Sequence, residues 1–266
     1  MPDDIEVIEI ASWDEFITYL RTSSLDVADY FYRGQSDPSW ALVPTLQRKL
    51  KPEYPFATRD AYNHRVNAYL RAFRDHAHGL IGFPDGLTTL DPLLSLGRHH
   101  GLLTPILDWT RSPYVAAFFA LKGVAEKVNM PLDHDRDSSR GIGGKEIVAI
   151  WRYQIEADGN IFEVDSYGKV KDFLRFFTEV GFPNLRQKAQ SGVYMHLDTH
   201  EYQSVDDLLR AKGKTARLQK WILEVDVAEA IGDLALMNIH IGSMFPDLSH
   251  AAQQANNRMN YPDTFF

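Results

Sequence analysis

The sequence predicts an α+β fold, a single domain with a mixed or antiparallel sheet and flanking helices. Three observations carry this. Short alternating or wholly apolar stretches (IEVIEI, DYFYRGQ, ILDW, EIVAIWRY, GVYMHL, LQKWILEVD) read as strands and stand among segments with helical spacing. The two kinds follow one another irregularly, without the strand–helix repetition that builds a parallel sheet. A hydrophobic content of 44% and a charged content of 24% over 266 residues suffice for one core, and no linker is visible. The expected domain spans 1–266, with its core over roughly 30–250, a polar loop at 131–145 and a tail at 256–266.

The elements follow in order. Ile5–Ile10 alternates as a strand. Ser12 opens a helix, with Glu15 three residues on as a capping box and Trp13, Phe16 and Leu20 as its apolar positions. Asp29–Gln35 is an aromatic-rich strand that ends in a turn at Asp37-Pro38, and 49–58 reads as loop. Tyr62, Val66, Tyr69, Leu70 and Phe73 place a helix over Asp60–Leu80, ended by Gly79. Asp91–Gly97 is a short helix and Ile106–Trp109 a buried strand. Ser112 and Pro113 then start a helix as N-cap and first helical residue, with Gly123 as its stop. Further on come a strand at Glu146–Tyr153, a helix at Lys169–Val180 closed by Gly181, and a strand at Gly192–Leu197. Ser204 caps a short helix ending near Gly213, Leu218–Asp226 is a strand, and a last helix begins near Asp247.

Composition narrows the function. A net charge of −8 and a pI near 5.7 show none of the basic excess of a protein that grips phosphate backbones. With no cysteine, disulfides, thiol catalysis and cysteine-ligated zinc or iron–sulfur sites are excluded. The acidic start MPDDIEVIEI does not read as a signal peptide, and no run approaches the ~18 apolar residues of a membrane span. A cytoplasmic protein without a membrane partner is expected. No Walker loop, GxGxxG, HExxH or GxSxG occurs. His196 and His200 have i,i+4 spacing, but their segment begins as a strand, so no metal is expected.

Several polar residues in apolar settings are candidates for a site. Arg33, followed by Gly34 and Gln35, ends a hydrophobic strand; its planar fork of donors suits phosphate or carboxylate, and a glycine lets a ligand approach the backbone. His99 and His100 could supply a base or ligand hydrogen bonds; on a strand they would face opposite sides, whereas in a loop both could face one pocket. Asp108 lies in an apolar strand, where a carboxylate needs a partner such as Arg33, a histidine or a backbone amide. Thr110 precedes a helix start, where N–H groups could receive an anion. Arg186 and Gln190 stand just before a strand; Gln190 cannot act as a general base but can position a hydroxyl.

Taken together, FYRGQSDPSWALVPTLQR (Phe31–Arg48), GRHHGLLTPILDWTRSPYVAAFFA (Gly97–Ala120), NLRQKAQSGVY (Asn184–Tyr194) and MFPDL (Met244–Leu248) resemble the FRG domain, a family named for its Phe-Arg-Gly-type motif and found in bacterial and phage proteins, some in defence or toxin settings. The chain departs from the family in two places. Arg98 stands where the family often has glutamine. Leu103-Thr104-Pro105 replaces Pro-Thr-Arg, so the family's second arginine is absent.

The motif order is also similar to that of arginine-type ADP-ribosyltransferases. That likeness implies that Arg33 binds the phosphate and ribose of NAD, that Thr110 orders the nicotinamide ribose, and that Gln190 stands where those enzymes carry a glutamate. The expectation is a protein that binds NAD or another nucleotide, with ADP-ribosyl transfer to a protein or nucleic-acid acceptor or NAD hydrolysis as its reaction. A non-enzymatic nucleotide- or protein-sensing module is the first alternative. A phosphodiester hydrolase using His99, His100 and Asp108 is the second.

Overall fold

The structure, a computed structural model, describes residues 4–23, 29–53, 55–80, 89–127, 145–155, 161–164, 170–178, 184–247 and 250. Among them the strands are β1 (Glu6–Ile10), β2 (Tyr30–Gln35), β3 (Ile106–Thr110), β4 (Lys145–Gln154), β5 (Ile161–Val164), β6 (Val170–Phe177), β7 (Gly192–Asp198) and β8 (Leu218–Asp226). They form one eight-stranded sheet in the order β1-β8-β4-β2-β3-β7-β6-β5. Only β1 and β8 pair in parallel; every other pair is antiparallel. The fold is α+β with a mixed sheet. The helices are α1 (Trp13–Thr22), α2 (Thr45–Lys49), α3 (Arg59–Ala77), α4 (Leu90–His99), α5 (Pro113–Lys127), α6 (Leu185–Ala189), α7 (Val205–Ala211), α8 (Val227–Leu236) and α9 (Ile241–Met244). Among the described residues no helix is long and apolar enough to cross a membrane.

Local chemistry explains most boundaries. The Ser12 hydroxyl accepts from the Glu15 N–H at 3.1 Å and starts α1. The reciprocal bond is displaced by one residue, because the Glu15 carboxylate accepts from Ala11 N–H at 2.8 Å. Ser112 accepts from the Val115 N–H at 3.3 Å and starts α5. Asp226 ends β8 and caps α8, accepting from Ala228 and Glu229. Gly101, at φ +86, takes the left-handed conformation that turns the chain from α4 toward β3.

Strand register sorts the side chains onto two faces. Tyr32 lies opposite Thr110, Thr110 opposite Gly192, and Asp108 opposite Tyr194, so these five share one face. That face carries two groups of helices. α1, α5 and α8 bury Trp13, Phe16, Phe118, Leu121 and Ile231 against Tyr32, Ile150 and Trp221. α2, α3 and α4 bury Leu46, Tyr62, Leu70 and Leu94 against Ile106 and Tyr194. On the other face, Phe31, Trp109, Tyr153, Leu174 and Met195 pack under Leu42 and the Val205, Leu208 and Leu209 side chains of α7.

Four expectations need correction. Gly123 does not stop α5, which runs on to Lys127; a Cβ there would fall 2.8 Å from Ser36 Cβ and Oγ, so the glycine serves close packing rather than termination. The segment read as a helix over Lys169–Val180 is strand β6 over its described residues. Phe176 packs on Phe31 and Tyr153 on one face, while Phe173 meets His196 and Phe177 meets Tyr194 on the other. Burial on both faces removes the alternation that would mark it as a strand. The region read as loop begins with the last residue of α2 and a 3₁₀ turn at Lys51–Glu53. β5, α2, α6, α8 and α9 were not anticipated. The polar loop up to 144, the 256–266 tail and nearly all of the last helix lie outside the described residues.

Candidate functional site

A cavity of about 410 Å³ lies on the first face of the sheet, at the seam between its two helix groups. Tyr32, Asp108, Thr110 and Tyr194 form its floor. Ala116 and Phe119 of α5 wall one side, and Arg98 and His99 of α4 the other. Arg186, Gln187 and Gln190, on and just after α6, close it together with Phe245. The seam exists because α4 and α5 are joined through β3 yet pack on different parts of the sheet.

Arg33 enters from an unexpected direction. Its parity on β2 belongs to the opposite face, with Phe31 and Gln35. However, β2 and β3 share a single bridged pair, Tyr32 with Thr110. Past that pair the Arg33 Nη1 donates to the Asp108 carbonyl at 2.6 Å, and the residue reaches the cavity lining. Burial lowers its pKa to about 10, which leaves it charged at neutral pH. Among the described residues Arg33 forms no ion pair, and its Nε has no hydrogen-bond partner.

The other two arginines on the cavity are each matched to a carboxylate. Arg98 Nε and Nη2 both donate to Asp108 Oδ2, at 3.1 and 2.7 Å, and Nη1 reaches the Thr45 hydroxyl at 3.2 Å. Burial opposes the charge of Asp108, but Arg98 and Arg33 outweigh it and hold the carboxyl below its usual range. Arg186 Nη2 donates to Asp247 Oδ2 at 2.7 Å, and its guanidinium lies 4.9 Å from the centre of the Phe245 ring. His250 Nδ1 lies 2.8 Å from Asp247 Oδ1. Burial works against Asp247 as an anion, yet the bonds from His250 and Arg186 hold its carboxyl well below the ordinary range.

The predicted residues separate into those that meet at the cavity and those that do not. Arg33, Gly34, His99, Asp108, Thr110, Arg186 and Gln190 all line it. His99 and His100 are neither on a strand nor in a loop. His99 is the last residue of α4 and His100 its C-cap, so the first faces the cavity and the second is exposed outside it. This divides the His99–His100–Asp108 trio of the hydrolase reading. Burial, with Arg186 and His100 nearby, pushes the His99 imidazole below its ordinary value, so it is neutral at pH 7. Gln35 does not reach the cavity, because its amide accepts from Trp151 Nε1 at 2.7 Å and donates to the Ala41 carbonyl at 3.3 Å.

Gly34 admits a helix rather than a ligand: a Cβ there would lie 1.9 Å from the Ala116 carbonyl oxygen of α5. The Thr110 hydroxyl donates to the Gln190 carbonyl at 2.7 Å and accepts from Ser112 N–H at 3.1 Å, and Gln190 Nε2 donates to the Met244 carbonyl at 2.9 Å. Both side chains tie the cavity's edge together. Arg98, Phe119 and Phe245 were not assigned to the site from sequence. An acid inside an apolar strand needs a cation, which was the available signal for Arg98. The two phenylalanines carried none.

His196 is buried in β7, where burial lowers its pKa to about 3. Among the described residues no cluster of three or more histidines, cysteines or acids could hold a metal ion.

Residues 28–128 match the FRG domain. The matched segment includes β2, β3, and α2 through α5, and so supplies Arg33, Arg98, His99, Asp108 and Thr110. Arg186, Gln190 and Phe245 come from outside the matched FRG segment and complete the same cavity. No curated protein and no solved structure matches the chain.

Proposed function

We propose that the FRG-domain cavity binds NAD or another nucleotide, with Arg33 contacting phosphate. The observation that carries this reading is the state of Arg33. It is a charged arginine among the cavity's lining residues, and among the described residues no carboxylate lies within ion-pair distance of it, while Arg98 and Arg186 are each matched. A buried cation with no direct ion pair among the described residues favours an anionic ligand, and a guanidinium fits phosphate with its planar fork. The volume of about 410 Å³ suits a ligand of nucleotide size. Phe119, Tyr194 and Phe245 supply flat apolar surface for a ring.

ADP-ribosyl transfer to a protein or nucleic-acid acceptor, or NAD hydrolysis, is the catalytic form of this reading. His99, neutral and on the wall, is the group placed to take a proton. A sensing module that binds without turnover is the second form. It is favoured by the engagement of Thr110 and Gln190 in contacts that hold the fold.

The test is calorimetric titration of the purified protein with NAD, alongside an assay of nicotinamide release, for the wild type, Arg33→Ala and Arg33→Lys. Circular dichroism checks the fold of each. Binding that is lost in Arg33→Ala and partly kept in Arg33→Lys is expected. Release that needs Arg33 identifies the catalytic form, and binding without release the sensing form. Undiminished binding by a folded Arg33→Ala protein refutes the assignment.

A further inference from the structure

Resting on that reading, we infer that Asp108 recognises the vicinal hydroxyls of a ribosyl group whose phosphate Arg33 holds. Among the described lining residues Asp108 is the one carboxylate, and its side chain keeps 45% exposure although β3 runs through the middle of the sheet. The surface it shows is cavity wall. Both bonds from Arg98 land on Oδ2, and Oδ1 has no side-chain partner among the described residues. An ionised carboxylate only accepts, so Oδ1 is a site for a donor on the ligand.

Placement narrows which donor. The Arg33 guanidinium is bonded to the backbone carbonyl of Asp108 itself, so the anion site and the carboxylate belong to one residue's neighbourhood. In a nucleotide the ribose hydroxyls sit on the same ring that carries the phosphate ester, whereas the donors of the base lie at the far end. A phosphate at Arg33 therefore brings sugar hydroxyls, rather than a base edge, to Asp108. Arg98 holds the carboxylate in place through Oδ2, and no side chain among the described residues takes Oδ1. A simple anion would have no use for the carboxylate and would be repelled by it.

The experiment compares ADP with 2′,3′-dideoxy-ADP on the wild-type protein by calorimetry, and repeats both with Asp108→Asn. Using the ligand as the variable keeps the main comparison independent of any folding defect. A hydroxyl bonded to a charged acceptor is worth about tenfold or more in affinity. The dideoxy ligand should bind the wild type weaker by that factor, and Asp108→Asn should shrink the difference between the two ligands. Equal binding of ADP and its dideoxy analogue by the wild type overturns the assignment of Asp108 while leaving the phosphate site at Arg33 standing. Binding of neither, to folded protein, overturns both. A GDP arm addresses the base: if GDP binds far more tightly than ADP and the sugar hydroxyls make no difference, the carboxylate reads a base edge and the inference falls.

Discussion

Replacing Gly34 by alanine tests the packing that places the site. A Cβ at this position would lie 1.9 Å from the Ala116 carbonyl oxygen and 2.8 Å from the Ala120 nitrogen. Both are backbone atoms of α5, so neither can rotate away. Ordinary contact would require α5 to move by about 1.5 Å. That helix buries Val115, Ala116, Phe118, Leu121 and Val124 against the sheet and α8, so the displacement opens gaps along its whole inner side.

Overpacking a core costs about 1–3 kcal/mol, and a rigid backbone obstacle places this case at the upper end. Alanine also relieves the chain-entropy disadvantage of glycine in a strand, worth about 0.5–1 kcal/mol in the opposite direction. The steric term wins, and a net destabilisation of about 2 kcal/mol is expected. Urea unfolding followed by far-ultraviolet circular dichroism reads this directly, as a midpoint lowered by about 1 M at unchanged slope. A Gly34→Ala protein as stable as the wild type would refute the account of Gly34 as a helix-packing residue and return it to the ligand.

Two further outcomes follow from the same geometry. His196 is 3% exposed, with a folded pKa of about 3 against an ordinary value of 6.5, so the unfolded chain takes up its proton first. Its contribution is intact above about pH 6.5 and is lost as pH falls from there toward 3, by a few kcal/mol in total; His196→Gln should flatten the fall in stability between pH 6.5 and 4.5, and an unchanged slope would sink this assignment. Arg98 and Asp108 should show a coupling of about 1 kcal/mol in a double-mutant cycle of stability, reduced from a fully buried value by solvent screening because Asp108 is 45% exposed; additive effects of Arg98→Met and Asp108→Asn would mean that the pair contributes nothing.

Much of the fold was legible because its signals are local. Ser12, Ser112 with Pro113, and Ser204 mark helix starts through bonds made within three residues, and each is found at its N-terminus. β8 alternates because one of its faces is more deeply buried than the other. β6 misled for the opposite reason. Phe173, Leu174 and Phe177 fit a helical spacing, but that spacing is also what remains when a strand places apolar residues on both sides. Three phenylalanines in eight residues were the available hint of a strand. Gly123 misled because glycine serves both helix ends and close approaches, and only the position of Ser36 tells them apart.

The candidate site divides along the same line. Residue type and the family resemblance pointed to Arg33, Gly34, Gln35, His99, His100, Asp108, Thr110, Arg186 and Gln190; all but Gln35 and His100 line one cavity. Which of them are occupied was set by long-range contacts. Arg98 reaches Asp108 across ten positions, Asp247 reaches Arg186 across sixty-one, and Met244 takes Gln190 across fifty-four. The kind of fold, most strand and helix positions, and the residues whose polarity demanded partners follow from local signals, because periodicity and capping act within a few residues. That β2 and β3 part after a single pair, that two helix groups leave a seam over them, and that Arg33 emerges there with no carboxylate at ion-pair distance among the described residues are outcomes of tertiary packing. Those outcomes depend on how distant segments share one sheet face and compete for the same charges, and no local pattern records that.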